Sequence, residues 1–110
     1  MKNLIRRQGD VLVKRIAGPL PEGATEVPRE NGRVVLAHGE ATGHAHAIRE
    51  RATMFRDDAM GRMLLDIPAG APAPLEHDEH STIPLPAGLY EVVRQVQWSD
   101  ELEPIQRVAD

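Results

Sequence analysis

The sequence predicts an all-β fold, a small barrel or sandwich, and three observations point there. Nine prolines and nine glycines fall in clusters that cut the chain into pieces too short for long helices. The pieces are short and rich in Val, Leu and Ile, as strands are. Turn residues recur along the whole chain, and closing strands into a barrel would remove the exposed edges that make open sheets associate. With 110 residues there is little room for a second domain, so residues 1–110 are read as one.

Taken in order, residues 10–16 form a first strand, which Gly18-Pro19-Leu20-Pro21-Glu22-Gly23 stops with turn chemistry. Asn31-Gly32 suits a two-residue hairpin turn, because both residues tolerate positive φ, so residues 25–30 are expected to pair with 33–38. Pro28 confines the earlier partner to a sheet edge. Residues 53–56 and 62–67 make a further strand pair around Asp57-Asp58-Ala59-Met60-Gly61, and residues 68–74, with three prolines, are expected to be a loop outside any ladder. Residues 88–98 are the longest β-like run and belong near the middle of a sheet. They place Tyr90, Val92, Val96 and Trp98 on one face and Leu89 and Val93 on the other. Ser99 could cap a short C-terminal helix, within which Pro104 falls.

Composition narrows the function. The chain is 41% hydrophobic and 27% charged, a globular balance, but only 3% aromatic, so its core must be aliphatic. With 13 Lys and Arg against 17 Asp and Glu there is no basic groove, and with three aromatic residues little to stack bases on, so nucleic acid is not an expected partner. The absence of cysteine removes disulfides, iron–sulfur clusters and thiol nucleophiles. The first ten residues lack the apolar run of a secretory signal, and no segment approaches the ~20 apolar residues of a membrane span. A soluble, cytoplasmic protein without a membrane partner is the expectation. Ser81 and Ser99 sit in no nucleophile motif, and there is no phosphate-binding glycine loop.

The five histidines fall in two tight groups, His38, His44 and His46 in one and His77 and His80 in the other. If residues 39–43 close a hairpin, His38 lies opposite His44 and Leu36 opposite His46, and one face carries all three imidazoles with Val34, Ile48 and Glu50. A slip of one residue would put His38 on the face opposite His44 and His46. Imidazole is a common ligand for transition metals, and two histidines two apart on a strand point the same way. With His77 and His80 folding back from a turn, three or four nitrogens could share one ion, with Glu50 or Glu40 as an oxygen ligand. The bland alternative makes Glu50 a solvated carboxylate paired with Arg49 or Arg51. Asp78 and Glu79 are read as turn residues that accept hydrogen bonds from the imidazoles.

His44-Ala45-His46-Ala47-Ile48-Arg49-Glu50 resembles the HxHxxxE of the first cupin motif, and Pro86-Ala87-Gly88 resembles the PxG of the second. The resemblance covers residues 34–98 and implies a β-barrel with His44, His46 and Glu50 as metal ligands. It departs from the pattern where Glu91 stands at the second-motif histidine and Gln95 at the asparagine. The reading is thus a β-barrel that binds a divalent transition metal (zinc, iron, manganese or nickel) through His38, His44, His46, His77, His80 and Glu50. An open coordination position would make it a small metal-dependent enzyme with a small-molecule ligand. The alternatives are a closed, non-catalytic site that stabilises the fold, or a homo-oligomeric module whose histidines form a proton-sensitive contact without metal.

Overall fold

The computed structural model describes residues 4–38 and 44–94. These form ten strands: β1 (Ile5–Gln8), β2 (Val11–Ile16), β3 (Thr25–Val27), β4 (Val34–His38), β5 (Ala45–Ile48), β6 (Thr53–Asp57), β7 (Arg62–Ile67), β8 (Ala73–Leu75), β9 (Ile83–Leu85) and β10 (Gly88–Arg94). The fold is all-β. Among the described residues no helix is long and apolar enough to cross a membrane. The expected C-terminal helix, with Val96 and Trp98, lies outside the described residues.

Six strands make one open antiparallel sheet in the order β1-β2-β10-β7-β6-β3, with β10 in its interior as the apolar run foretold. The first two strands are joined by Gly9 and Asp10 alone, since Gln8 pairs with Val11. Gly9 has φ 59°, the left-handed geometry that the first position of a type II′ turn requires. This turn holds Gln8 and Asp10 side by side, and both are buried.

The second layer consists of β4 paired with β5 and β8 paired with β9. One antiparallel bridge between Ala47 and Glu76 joins the two pairs, with hydrogen bonds of 3.0 and 2.8 Å. Hydrogen-bonded positions alternate along an antiparallel ladder, so the next contact from β8 would need the N–H of residue 74. That residue is Pro74, which has none, and the ladder stops after one rung. Val11, Val13, Met54, Leu65 and Tyr90 of the large sheet pack with Val34, Ile48, Leu75 and Leu85 of the second layer in one core. The architecture is therefore sandwich-like. As composition required, the core is aliphatic but for Tyr90.

Two expectations are corrected and one strand is added. Residues 25–27 pair with Met54, Phe55 and Arg56 of β6 rather than with 33–38, leaving only a Glu30–Arg33 bridge around the Asn31-Gly32 turn. Val27 gains a place beside buried Met54 this way, while Pro28 ends the strand at the sheet edge. Residues 73–75 are a strand despite the surrounding prolines, because Pro74 lies directly opposite Pro84. Neither ring need donate at a pair that exchanges no hydrogen bonds. Finally β1, unanticipated in the sequence, adds an edge next to β2.

Tyr90 is fully buried, and its hydroxyl donates to the Pro86 carbonyl oxygen at 2.7 Å. Desolvation raises the phenol above its ordinary value of 10.0, against the opposing pull of Arg15 and Arg6. A raised folded-state value favours the neutral phenol, so its stabilisation is full below pH ~10 and is lost as the pH climbs through the folded-state value. Denaturant melts at rising alkaline pH are expected to show this loss, and Tyr90→Phe to flatten it. An identical alkaline slope in the variant would refute the assignment.

Candidate functional site

The β4–β5 register decides which histidines can meet. Val34 pairs with Ile48 and Val35 with Ala47, but Ala37 pairs with His46 and His38 with Ala45. Leu36 is bulged out, so the expected opposition of His38 to His44 and of Leu36 to His46 is replaced by the one-residue slip. Directly paired residues share a face, so His38 accompanies Ala45 rather than His44 and His46. Its ring is 63% exposed and its Nε2 lies 3.1 Å from Glu30 Oε1. The structure thus leaves His38 outside the histidine cluster.

The other four come together, and the Ala47–Glu76 bridge is the reason. Counting one step along each strand from that antiparallel pair sets His46 opposite His77. Their ring centres are 4.3 Å apart. The turn through Asp78 and Glu79 then swings His80 back, with its ring 4.7 Å from His77 and 5.9 Å from His46. His44, at the mouth of β5, stands 5.9 Å from His77. His46 is fully buried and His77 nearly so, whereas the His44 side chain is 25% exposed. Asp78 Oδ2 lies 3.6 Å from His44 Nε2 and Glu79 Oε2 lies 3.9 Å from His44 Nδ1, so both acids sit beside an imidazole but beyond hydrogen-bond distance, where acceptors had been expected.

Hydrogen bonds distinguish the ring nitrogens. Gln8 Nε2 donates to the carbonyl oxygens of Leu75 at 2.9 Å and Ser81 at 2.8 Å. Its amide orientation is thereby fixed, because a flipped amide would set oxygen against two carbonyls. Gln8 Oε1, 2.9 Å from His46 Nδ1, must accept, so Nδ1 of His46 carries a proton. His77 is held differently, its Nδ1 accepting the Glu79 backbone N–H at 3.0 Å. His80 Nε2 is buried with no hydrogen-bond partner among the described residues.

Two imidazoles on one tetrahedral zinc, bonded at about 2.0–2.1 Å, have ring centres roughly 5 Å apart. The observed spacings of 4.3 to 5.9 Å bracket that value. Among the described residues, however, no three His, Asp or Glu side chains are already aimed at a common point where they could hold an ion. Loading needs ring rotation about χ2, a broad torsion in histidine, and His77 would give up the Glu79 N–H to ligate through Nδ1. Glu50 takes no part. Strand β5 ends at Ile48, so strand alternation no longer carries Glu50 inward, and it is exposed. Arg49 pairs with Glu76 at 3.1 Å, and Glu40 lies outside the described residues.

A family model described as a domain of unknown function, DUF8820, matches residues 7–95. The chain belongs to the DUF8820 family. No curated protein and no solved structure matches it. The stretch matched to DUF8820 includes all four clustered histidines together with Gln8 and Asp10. These last two are the site residues that sequence reasoning passed over. The signal available for them was slight: a glycine between two polar residues at the head of an apolar run, which marks a tight turn but not what that turn faces.

Proposed function

We propose that this DUF8820 protein is a transition-metal-binding β-sandwich whose ion is taken up among His44, His46, His77 and His80. The observation that supports this most is the Ala47–Glu76 bridge, which gathers four of the five histidines at one largely buried place. A buried polar atom without a partner costs about 1–3 kcal/mol, and His80 Nε2 has none among the described residues. A cation at the cluster would remove that cost. Imidazole donors suit zinc, iron or nickel, with manganese favoured only as carboxylates join. An ion bound by three of the four rings would keep a position open for water or a small ligand, the condition for catalysis.

Tag-free protein supplemented in turn with zinc, iron, manganese and nickel is expected to retain one equivalent of one of them after desalting. A chelator should lower its melting temperature, since binding to the folded chain alone adds stability. Protein that retains none of the four metals, and melts alike with and without chelator, would exclude the metal reading and favour a metal-free interaction module.

A further inference from the structure

The outer surface of the second layer holds a cleft. Val34 and Ile48 face the core, so alternation turns the neighbouring pair, Val35 and Ala47, outward, and Glu76 joins them across the bridge. One step beyond Val34 and Ile48 on the other side, Arg33 and Arg49 face outward as well. Longer side chains thus rise around Ala45 and Ala47, and a cleft of ≈ 30 Å³ lies between them. One water needs roughly 10–15 Å³ of such space, so the cleft takes a group the size of a carboxylate. Arg49 Nε donates to Glu76 Oε1 at 3.1 Å, and Arg29, Arg51, Arg56 and Arg62 likewise donate to carbonyl or carboxylate oxygens. Arg33 differs. It is half-buried at the cleft wall, yet its guanidinium has no hydrogen-bond or ion-pair partner among the described residues.

The N–H donors of Arg33 are thereby held beside a second guanidinium, and like charges facing each other across a strand pair oppose folding. An anion between them satisfies the donors and offsets the repulsion. We infer that the cleft is a binding site for the carboxylate of a small organic acid, with Arg33 as its anchor. The planar fork of Arg33 takes both carboxylate oxygens through parallel N–H···O bonds, a match that an ammonium lacks. Glu76 and Asp78 also line the cleft, so a singly charged ligand fits it, whereas a doubly charged phosphate is repelled by both. The anchor is set by the Asn31-Gly32 turn, where Arg33 N donates to Glu30 O at 3.0 Å and Glu30 N donates to Arg33 O at 2.8 Å. His77 borders both this cleft and the histidine cluster, which places the acid beside that cluster. Binding here requires no metal, so it stands or falls apart from the metal reading above.

The test is an NMR titration of the full chain with sodium acetate, compared with sodium chloride and sodium phosphate at matched ionic strength. Acetate should move the Arg33 Nε–H signal and the backbone amides of Ala45 and Ala47 along a saturable curve, and chloride and phosphate should not. Arg33→Gln should weaken acetate at least about tenfold, because the charged fork is gone. Arg33→Lys keeps the charge without the fork and should fall between wild type and Arg33→Gln. Arg56→Gln, in the other layer and paired with Asp58, should bind acetate as wild type does. Should Arg33→Gln not fold, the wild-type curves and Arg33→Lys decide. Shifts that grow linearly with acetate in wild-type protein, or equal shifts from chloride or phosphate, overturn the site. Arg33→Gln or Arg33→Lys with wild-type acetate affinity also overturns it, since acetate would then be held elsewhere, an ion at the histidine cluster included.

Discussion

His46→Ala is expected to abolish metal retention and to lower stability by about 2–4 kcal/mol, the combined effect of a cavity and of buried acceptors left behind. The ring is fully buried, hydrogen-bonded to Gln8 and adjacent to Asp10, so truncation strips both of a neighbour. In a domain near this size each kcal/mol shifts the melting temperature by roughly 4–8 °C. Calorimetry and metal analysis of the same sample check both halves. His38→Ala is the internal control, because that ring is solvent-exposed and, among the described residues, pairs with Glu30 across the surface. It should leave metal content and melting temperature near wild type. Equal effects of the two substitutions would contradict the bulged register.

Leu75→Ala should be at least as costly, about 2–5 kcal/mol, the range for emptying a well-packed leucine site. Leu75 has no exposed surface, and it packs in the core shared by both layers. Its carbonyl also accepts from Gln8, and its strand leads directly into Glu76 and His77. The substitution therefore weakens the core and slackens the backbone on which the second histidine pair is hung. Against a total stability of about 5–15 kcal/mol for a small domain, such a loss brings unfolding within reach of modest denaturant. Chemical denaturation measures it. Ile5→Ala, at a half-exposed edge position, should change the midpoint little.

The fold class was legible because it depends on local signals. Prolines, glycines and apolar runs mark β6, β7 and β10 within a residue or two of where they begin. The partners of those strands were less legible. Asn31-Gly32 fixes a reversal, but nothing near it says that residues 25–27 prefer the flank of β6 to the strand just beyond the turn. The bulge at Leu36 was equally hidden, since a strand with and without an extra residue has the same apolar content while its faces differ. That single residue separates the one misplaced histidine from the four that cluster. His44, His46, His77 and His80 were recognisable by grouping alone, whereas Gln8 and Asp10 reach the cluster only through contacts between residues distant in sequence.

The facing prolines of β8 and β9 bear on how copies of the molecule meet. Pro84 exchanges nothing with Pro74, so its ring nitrogen points away from the pair toward the outer margin of β9. A second chain seeking to extend the layer there would find a ring where it needs a donor. The margin is thus guarded against runaway strand addition, and crowded preparations should resist fibril formation at this edge better than a Pro84→Val counterpart.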